Sequence, residues 1–263
     1  MKIDKKILLS FDIEEFDTPL EYGKKLDLEE QFDVSLQGLN AIIALLEKYG
    51  ITATFFTTAN FAKRFPELIN KMSRSYEIAS HGFYHSSFEV KDLLDSRLAL
   101  ETIIKKPVVG YRMARMMPVD DDEIRKAGYK YNASLNPTFI PGRYNNFNKP
   151  RTYFMQNKVL QIPAAVTPII RFPLFWLSFK NFPLLVIKSA SKRVMKKDGY
   201  VNLYFHPWEF TDTTNKKKFG LPFYVSNNGN MMLNKLEAYI KWCIEKNYSF
   251  STYGDLYKTV GVQ

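Results

Sequence analysis

One cysteine and three histidines are all that this chain of 263 residues holds of the thiol and imidazole side chains that bind metals. A lone Cys243 excludes an intrachain disulfide. Its place in L-E-A-Y-I-K-W-C-I-E reads as the apolar face of a helix, where a cysteine packs. No apolar run reaches the roughly 18 residues that a spanning helix needs. The first apolar stretch, Lys5 to Phe11, is too short for a secretion signal and too soon followed by acids, so the expected location is the cytoplasm. Internal repeats and shifts of composition are also missing, which predicts a single domain over residues 1–263.

Charged residues at 24% speak against disorder, and 46% hydrophobic content suffices for the core of one α/β domain. The net charge of +10 suits an anionic partner such as a phosphorylated lipid, a membrane surface or an acidic glycan, and equally an ordinary lysine-rich surface. The lysines are spread along the chain without a nucleic-acid-binding motif, which argues against nucleic acid.

Apolar and β-branched runs predict strands at Ile7–Phe11, Ile51–Phe56, Tyr76–Ala79, Val108–Tyr111, Lys130–Ser134, Tyr200–Phe205 and Ser249–Tyr253. Helical spacing falls at Leu36–Lys48, which Gly50 stops, and at Phe61–Met72, Leu93–Lys105 and Met231–Lys246. Pro118 with Asp120, Asp121 and Asp122 reads as a helix start, with acids complementing the amino-terminal dipole. Residues Asn136–Pro150 read as a loop. Strand and helix alternate throughout, as in a parallel α/β domain, where sites form at the carboxyl ends of strands. Prolines 163, 168, 173 and 183 exclude a regular spanning helix from the apolar stretch Leu160–Ile187. Two readings stay open for it: a lid or membrane-facing surface with Arg171 and Lys180 at the interface, or an irregular insertion covering the core.

The polar motifs stand at strand ends. S-F-D-I-E-E-F-D brings Asp12, Glu14, Glu15 and Asp17; S-H-G-F-Y-H brings His81 and His85; N-L-Y-F-H-P-W-E-F brings His206. Two imidazoles four residues apart share one face if the turn is helical. Two histidines and one carboxylate leave positions on a bound ion for water and substrate. Such an ion lowers the pKa of its water toward about 7. A separate carboxylate can then take the proton and a histidine can protonate the leaving group, for which Asp12 and His206 are the candidates. Glu15 and Asp17 read as residues of a solvated turn.

Together S-F-D-I-E, S-H-G-F-Y-H, G-Y-R-M-A, Y-N-A-S-L-N-P and L-Y-F-H-P-W-E-F stand in the order found in the polysaccharide deacetylases, carbohydrate esterase family 4, which include chitooligosaccharide, peptidoglycan and chitin deacetylases. The chain resembles that family over nearly its whole length. The resemblance implies a distorted seven-stranded (β/α) barrel that hydrolyses an N-acetyl or O-acetyl group on a sugar. It implies Asp12 as general base, Arg112 orienting it and His206 as general acid. Glu14, His81 and His85 would be the metal ligands, with Leu203 and Trp208 beside the acyl pocket. Zinc is the first expectation, with cobalt, nickel or iron also suited to imidazole and carboxylate. Three positions depart from the family pattern. Glu14 replaces the usual Asp, and Ala114 replaces the proline of R-x-P. Asn132 replaces an Asp that supports the catalytic histidine, so a lowered His206 pKa is expected.

The expected function is metal-dependent removal of an acetyl group from a bacterial cell-surface polysaccharide or its lipid-linked sugar precursor, at the inner membrane face. The alternatives are a metal-independent hydrolase of a small cyclic or linear amide and a non-catalytic glycan-binding homologue.

Overall fold

The computed structural model describes residues 5–226 and 228–261. Its strands are β1 (Lys6–Ile13), β2 (Thr54–Thr57), β3 (Glu77–Ser80), β4 (Gly110–Tyr111), β5 (Tyr131–Asn132), β6 (Phe139–Ile140), β7 (Tyr144–Asn145), β8 (Phe154–Gln156), β9 (Val159–Gln161), β10 (Tyr200–Phe205) and β11 (Ser249–Phe250). The main sheet runs β10-β1-β2-β3-β4-β5-β9, seven strands joined by parallel pairs, with β8 antiparallel on β9 and β11 beside the start of β1. The sheet curls into a half-barrel. Among the described residues no ladder joins its two ends, but Asn202 Nδ2 on β10 donates to Pro163 O, just past β9, at 2.8 Å. The expected distorted seven-stranded barrel is thus present.

Parallel register assigns the faces. Asp12 pairs with Phe56 and Phe56 with Ala79, so these side chains share one face with Leu8, Tyr131 and Leu160, which cluster together. The opposite face carries Ile7, Leu9, Phe11, Phe55, Val201 and Leu203, which join the larger core under the helices. The longest helix, Leu28–Tyr49, starts at Asp27, whose carboxylate accepts from Glu30 N–H, and stops at Gly50 in the left-handed region. It starts eight residues before the expected Leu36, because Asp27 is a cap and Phe32 and Val34 extend the buried stripe. The expected helix Phe61–Met72 is two, Ala59–Arg64 and Pro66–Met72, because a residue preceding proline disfavours the helical region. The expected loop Asn136–Pro150 contains the antiparallel β6–β7 hairpin.

The stretch Leu160–Ile187 divides. Leu160–Val166, Leu174–Trp176 and Lys180 are buried, so Lys180 does not stand at a surface. Residues Ile169, Ile170, Phe182, Leu185 and Val186 are exposed. Asp120 caps the helix Asp121–Lys126 as expected, accepting from Asp122 N–H. Cys243 is buried in the helix Asn230–Glu245, and burial pushes its thiol up to about 12. Among the described residues no helix is long and apolar enough to cross a membrane.

Candidate active site and metal centre

The carboxyl ends of β1, β3 and β10 deliver the candidate residues to one end of the sheet. His81 and His85 do not lie on a helix. They flank a loop in which Gly82 takes φ +85, a conformation that glycine adopts without strain, and their rings stack at 5.8 Å. His81 Nδ1–H donates to Arg112 O at 2.9 Å, and His85 Nδ1–H donates to Asp17 Oδ1 at 2.7 Å. A carbonyl and a carboxylate can only accept, so both protons sit on Nδ1. In the neutral rings both Nε2 lone pairs then face inward. There they meet Glu14 Oε2, at 3.2 Å from His81 and 3.1 Å from His85, while Glu14 Oε1 accepts from Trp208 Nε1–H at 3.1 Å.

Three electron-pair donors that face one another in a buried site require a positive charge among them. All three ligand atoms lie within 4.8 Å of one another. Tetrahedral bonds of ~2.0–2.1 Å would set such atoms ~3.3 Å apart. The donor set and its spacing therefore fit a divalent ion, and the longer Glu14 fits because Trp208 anchors its outer oxygen. Without an ion the charge must be a proton. Burial alone would lower the His85 pKa, but Glu14 and then Asp17 outweigh it and push it up to about 9. Burial would raise the Glu14 carboxyl, yet His85, His206 and His81 hold it far below the usual carboxylate range.

Asp12 is bound from behind. Arg112 Nη1 donates to Asp12 Oδ1 at 2.5 Å and to Ser10 Oγ at 3.0 Å, and Nη2 donates to Tyr253 Oη at 3.0 Å. The buried guanidinium lies 3.9 Å from the centre of the Phe56 ring. Facing this pair, His206 Nε2 stands 4.0 Å from Asp12 Oδ2. His206 Nδ1–H and backbone N–H both donate to Glu209 Oε1, at 2.9 and 2.8 Å. Behind Glu209 lies Lys180, with Nζ 3.4 Å from Glu209 Oε2 and hydrogen-bonded to Val225 O and Asn228 Oδ1. Burial lowers the His206 pKa, but Glu14, Glu209 and Asp12 together raise it above the usual value.

That corrects the expectation for Asn132. Its amide donates to Gln161 and its oxygen accepts from Ser134, so the carboxylate serving His206 is Glu209. Glu15 and Asp17 are likewise buried rather than solvated. Glu15 accepts from Thr58 Oγ1 and Asn60 Nδ2, and Asp17 holds His85 and, through Oδ2, Arg115 Nη2 at 2.9 Å. The turn after Arg112, with Ala114 in place of the expected proline, puts Arg115 and Met116 both at positive φ and swings Arg115 back onto Asp17. Each such residue costs about 1–3 kcal/mol, which the surrounding contacts must offset.

Asp12, Glu14, His81, His85 and His206 line a cavity of about 110 Å³ with Tyr204, Trp176, Trp208 and Arg143. Trp208 stacks on His206 at 5.4 Å, and Trp176 meets the same ring edge-on. Leu203, expected beside the acyl pocket, faces the helices instead, and its neighbour Tyr204 lines the cavity. Strand alternation is the signal for this: His206 faces the cavity, so position 204 does and 203 does not.

The arrangement can activate a water, bind an acyl oxygen and protonate a departing group. No curated protein matches the sequence. The fold resembles a candidate polysaccharide deacetylase from Mycobacterium smegmatis, with TM-score 0.67 and 17% identity over 98% of this chain and 90% of that one. It resembles PuuE allantoinase with TM-score 0.66 and 14% identity, over 98% and 92%. A pseudoenzyme of carbohydrate esterase family 4 from Bacillus anthracis matches with TM-score 0.52 and 14% identity, over 97% and 66%. Residues 4–131 match the family model described as polysaccharide deacetylase, and these solved structures share the half-barrel built around them.

Proposed function

We propose that the protein hydrolyses an acetyl group, most simply an N-acetyl group, on a sugar of a cell-surface polysaccharide or of its lipid-linked precursor at the inner membrane face. The observation that carries this reading is the facing of two differently prepared groups across one cavity. Asp12 is held by Arg112, and His206 is held by Glu209, with the Glu14–His81–His85 donor set beside them.

Glu14, His81 and His85 would hold a divalent ion, zinc by ligand type, with cobalt, nickel or iron also suited. Such an ion, when bound, polarises an acyl oxygen and acidifies a water. The remaining work falls to the chain. Asp12 Oδ2, the oxygen not engaged by Arg112 Nη1, faces the cavity and takes the proton of the attacking water. The water oxygen bonds to the acyl carbon. As the carbon–nitrogen bond breaks, His206 Nε2–H gives its proton to the sugar nitrogen, so acetate and a free amine leave. Glu209, which accepts from His206 Nδ1–H, and the nearby Asp12 carboxylate favour the protonated ring. Trp176, Tyr204 and Trp208 form walls suited to a small acyl group.

The test is acetate release from N-acetylated and O-acetylated sugars by purified, metal-analysed protein. Release that requires the metal supports the reading. Full metal content with no release from any acetylated sugar would overturn it. Turnover of a small amide by metal-free protein would replace it with the metal-independent alternative.

A further inference from the structure

The catalytic cavity leaves most of the molecule's positive charge unused, and that charge is not evenly distributed. Residues 124–197 hold 14 of the 37 Lys and Arg and none of the 27 Asp and Glu, so the rest of the chain, with 23 against 27, is net acidic. This acid-free stretch includes β5 to β9, the helix Trp176–Asn181 and all but the last residue of the helix Leu184–Asp198.

Within it lies an exposed apolar cluster. Ile169 is 89% exposed, Leu185 78% and Ile170 69%, with Phe182 and Val186 beside them. Ile170, Phe182, Leu185 and Val186 line a groove of about 370 Å³ whose charged lining residue is Arg193. Ile169 sits at φ +69, which is costly for a β-branched residue. Two adjacent isoleucines are thus held toward solvent by strained backbone. The helix Leu184–Asp198 buries Ile187, Ala190 and Val194. Its other face runs from Leu185 through Ser189 to Lys192 and Lys196, at helical spacing, from apolar to basic. Its acid, Asp198, is already bound by Arg151.

Apolar side chains at a tip, cations of the same stretch beside them and no acid in the groove lining make a surface complementary to hydrocarbon beneath a layer of phosphates. A second copy of the same face would bring like charges together, which disfavours self-association there.

We propose that the Ile169–Ile170 turn and the start of the helix Leu184–Asp198 form a docking surface for an anionic lipid bilayer. The cavity lies nearby. The helix Trp176–Asn181 begins in the cavity wall with Trp176 and Leu177 and leads to Phe182 in the patch, a span of about 9 Å. Asn181 Nδ2 donates to the backbone of the cavity residue Tyr224 at 2.9 Å. Docking would therefore bring the cavity close to the lipid surface, where a sugar on a lipid carrier is presented. That last step rests on the deacetylase reading; the docking does not.

Sedimentation of the full chain with vesicles tests it, using equimolar phosphatidylcholine and phosphatidylglycerol against pure phosphatidylcholine, at low and high salt. Binding should require the anionic lipid and weaken with salt. Combined Ile169→Ser, Ile170→Ser and Leu185→Ser should weaken it roughly tenfold or more. None of these three residues lines the catalytic cavity, so hydrolysis of a soluble acetylated sugar should be unchanged. Lys192→Glu with Arg193→Glu is a second variant, and should lose the anionic preference. Absence of wild-type binding, or wild-type binding by the triple-serine variant, would overturn the proposal. So would self-association without lipid that the same substitutions abolish. Vesicle binding does not depend on turnover, so the docking surface and the deacetylase reading can fail separately.

Discussion

Glu209 Oε1 accepts two hydrogen bonds from the same histidine, from His206 N–H at 2.8 Å and from His206 Nδ1–H at 2.9 Å. One carboxylate oxygen thereby fixes the backbone entering the P-W-E-F turn and the tautomer of the ring. It also contributes to the raised His206 pKa, after Glu14. A general acid works only while protonated, so activity should fall as pH rises through the His206 pKa, the alkaline limb of the profile. Glu209→Gln should move that limb to lower pH, because a negative charge that favours imidazolium is lost. Asn132→Asp should leave the limb in place, because Asn132 bonds Gln161 and Ser134 instead. A pH profile of kcat/KM for the two variants checks both. An unmoved limb in Glu209→Gln would remove His206 as the acid or Glu209 as its partner.

Asp12→Asn should lower kcat roughly 10²-fold or more with metal content unchanged. The neighbouring acids cannot easily replace it, because Glu15 is engaged by Thr58 and Asn60, and Asp17 by His85 and Arg115. Single-turnover kinetics with parallel metal analysis decides the point, and near-wild-type turnover would place the base elsewhere.

The strand ends that converge on the cavity were readable from the chain, because apolar runs ending in D-I-E, S-H-G and F-H-P mark neighbouring parallel strands. Their partners were not. Asp17 meets His85 across 68 residues, and Lys180 reaches Glu209 from a separate helix. A lysine in an apolar, proline-broken stretch looks like an interfacial residue until the fold places it against a buried carboxylate. Leu203 was a different kind of error, since strand parity alone assigns the cavity to Tyr204. The acids after β1 read as a solvated turn because local sequence does not reveal that Thr58, Asn60 and Arg115 close over them.

Asp17→Asn tests the outer layer of the metal centre. It keeps the shape but weakens the acceptor that orients His85 Nδ1–H. Metal affinity should fall roughly 10–100-fold, as for other such partners. His81→Ala with His85→Ala should abolish binding. Competition against a chelator measures both variants, and stoichiometric metal in the double variant would exclude these histidines as ligands.

Gly38 links the fold to the acid. A Cβ built there would lie 1.8 Å from Pro207 O, so the helix Leu28–Tyr49 sits against the turn that follows His206 only because this position has no side chain. Gly38→Ala must push the turn or the helix aside, at a cost of about 1–3 kcal/mol for overpacking. Thermal unfolding should show a lowered Tm, and kcat should fall with it because the displaced turn carries Glu209. An unchanged Tm would mean that the contact relaxes without cost.

Metal removal should change the sign of the pH dependence of stability. In the metal-free protein the His85 pKa is pushed from its ordinary 6.5 to about 9, so the folded state binds this proton more tightly than the unfolded chain. A raised folded pKa gives stability that is fully present below 6.5 and is lost as pH rises through 9. Glu14, held low, adds a contribution that is lost only in strong acid, outside this window. The Tm of chelated protein should therefore fall between pH 6.5 and 9. With zinc present the ion must displace the proton from His85, so binding tightens as pH rises and stabilises the folded state by mass action. Calorimetry of chelated and zinc-loaded protein across this range should give slopes of opposite sign. Equal slopes would mean that no ion competes with the proton at Glu14, His81 and His85.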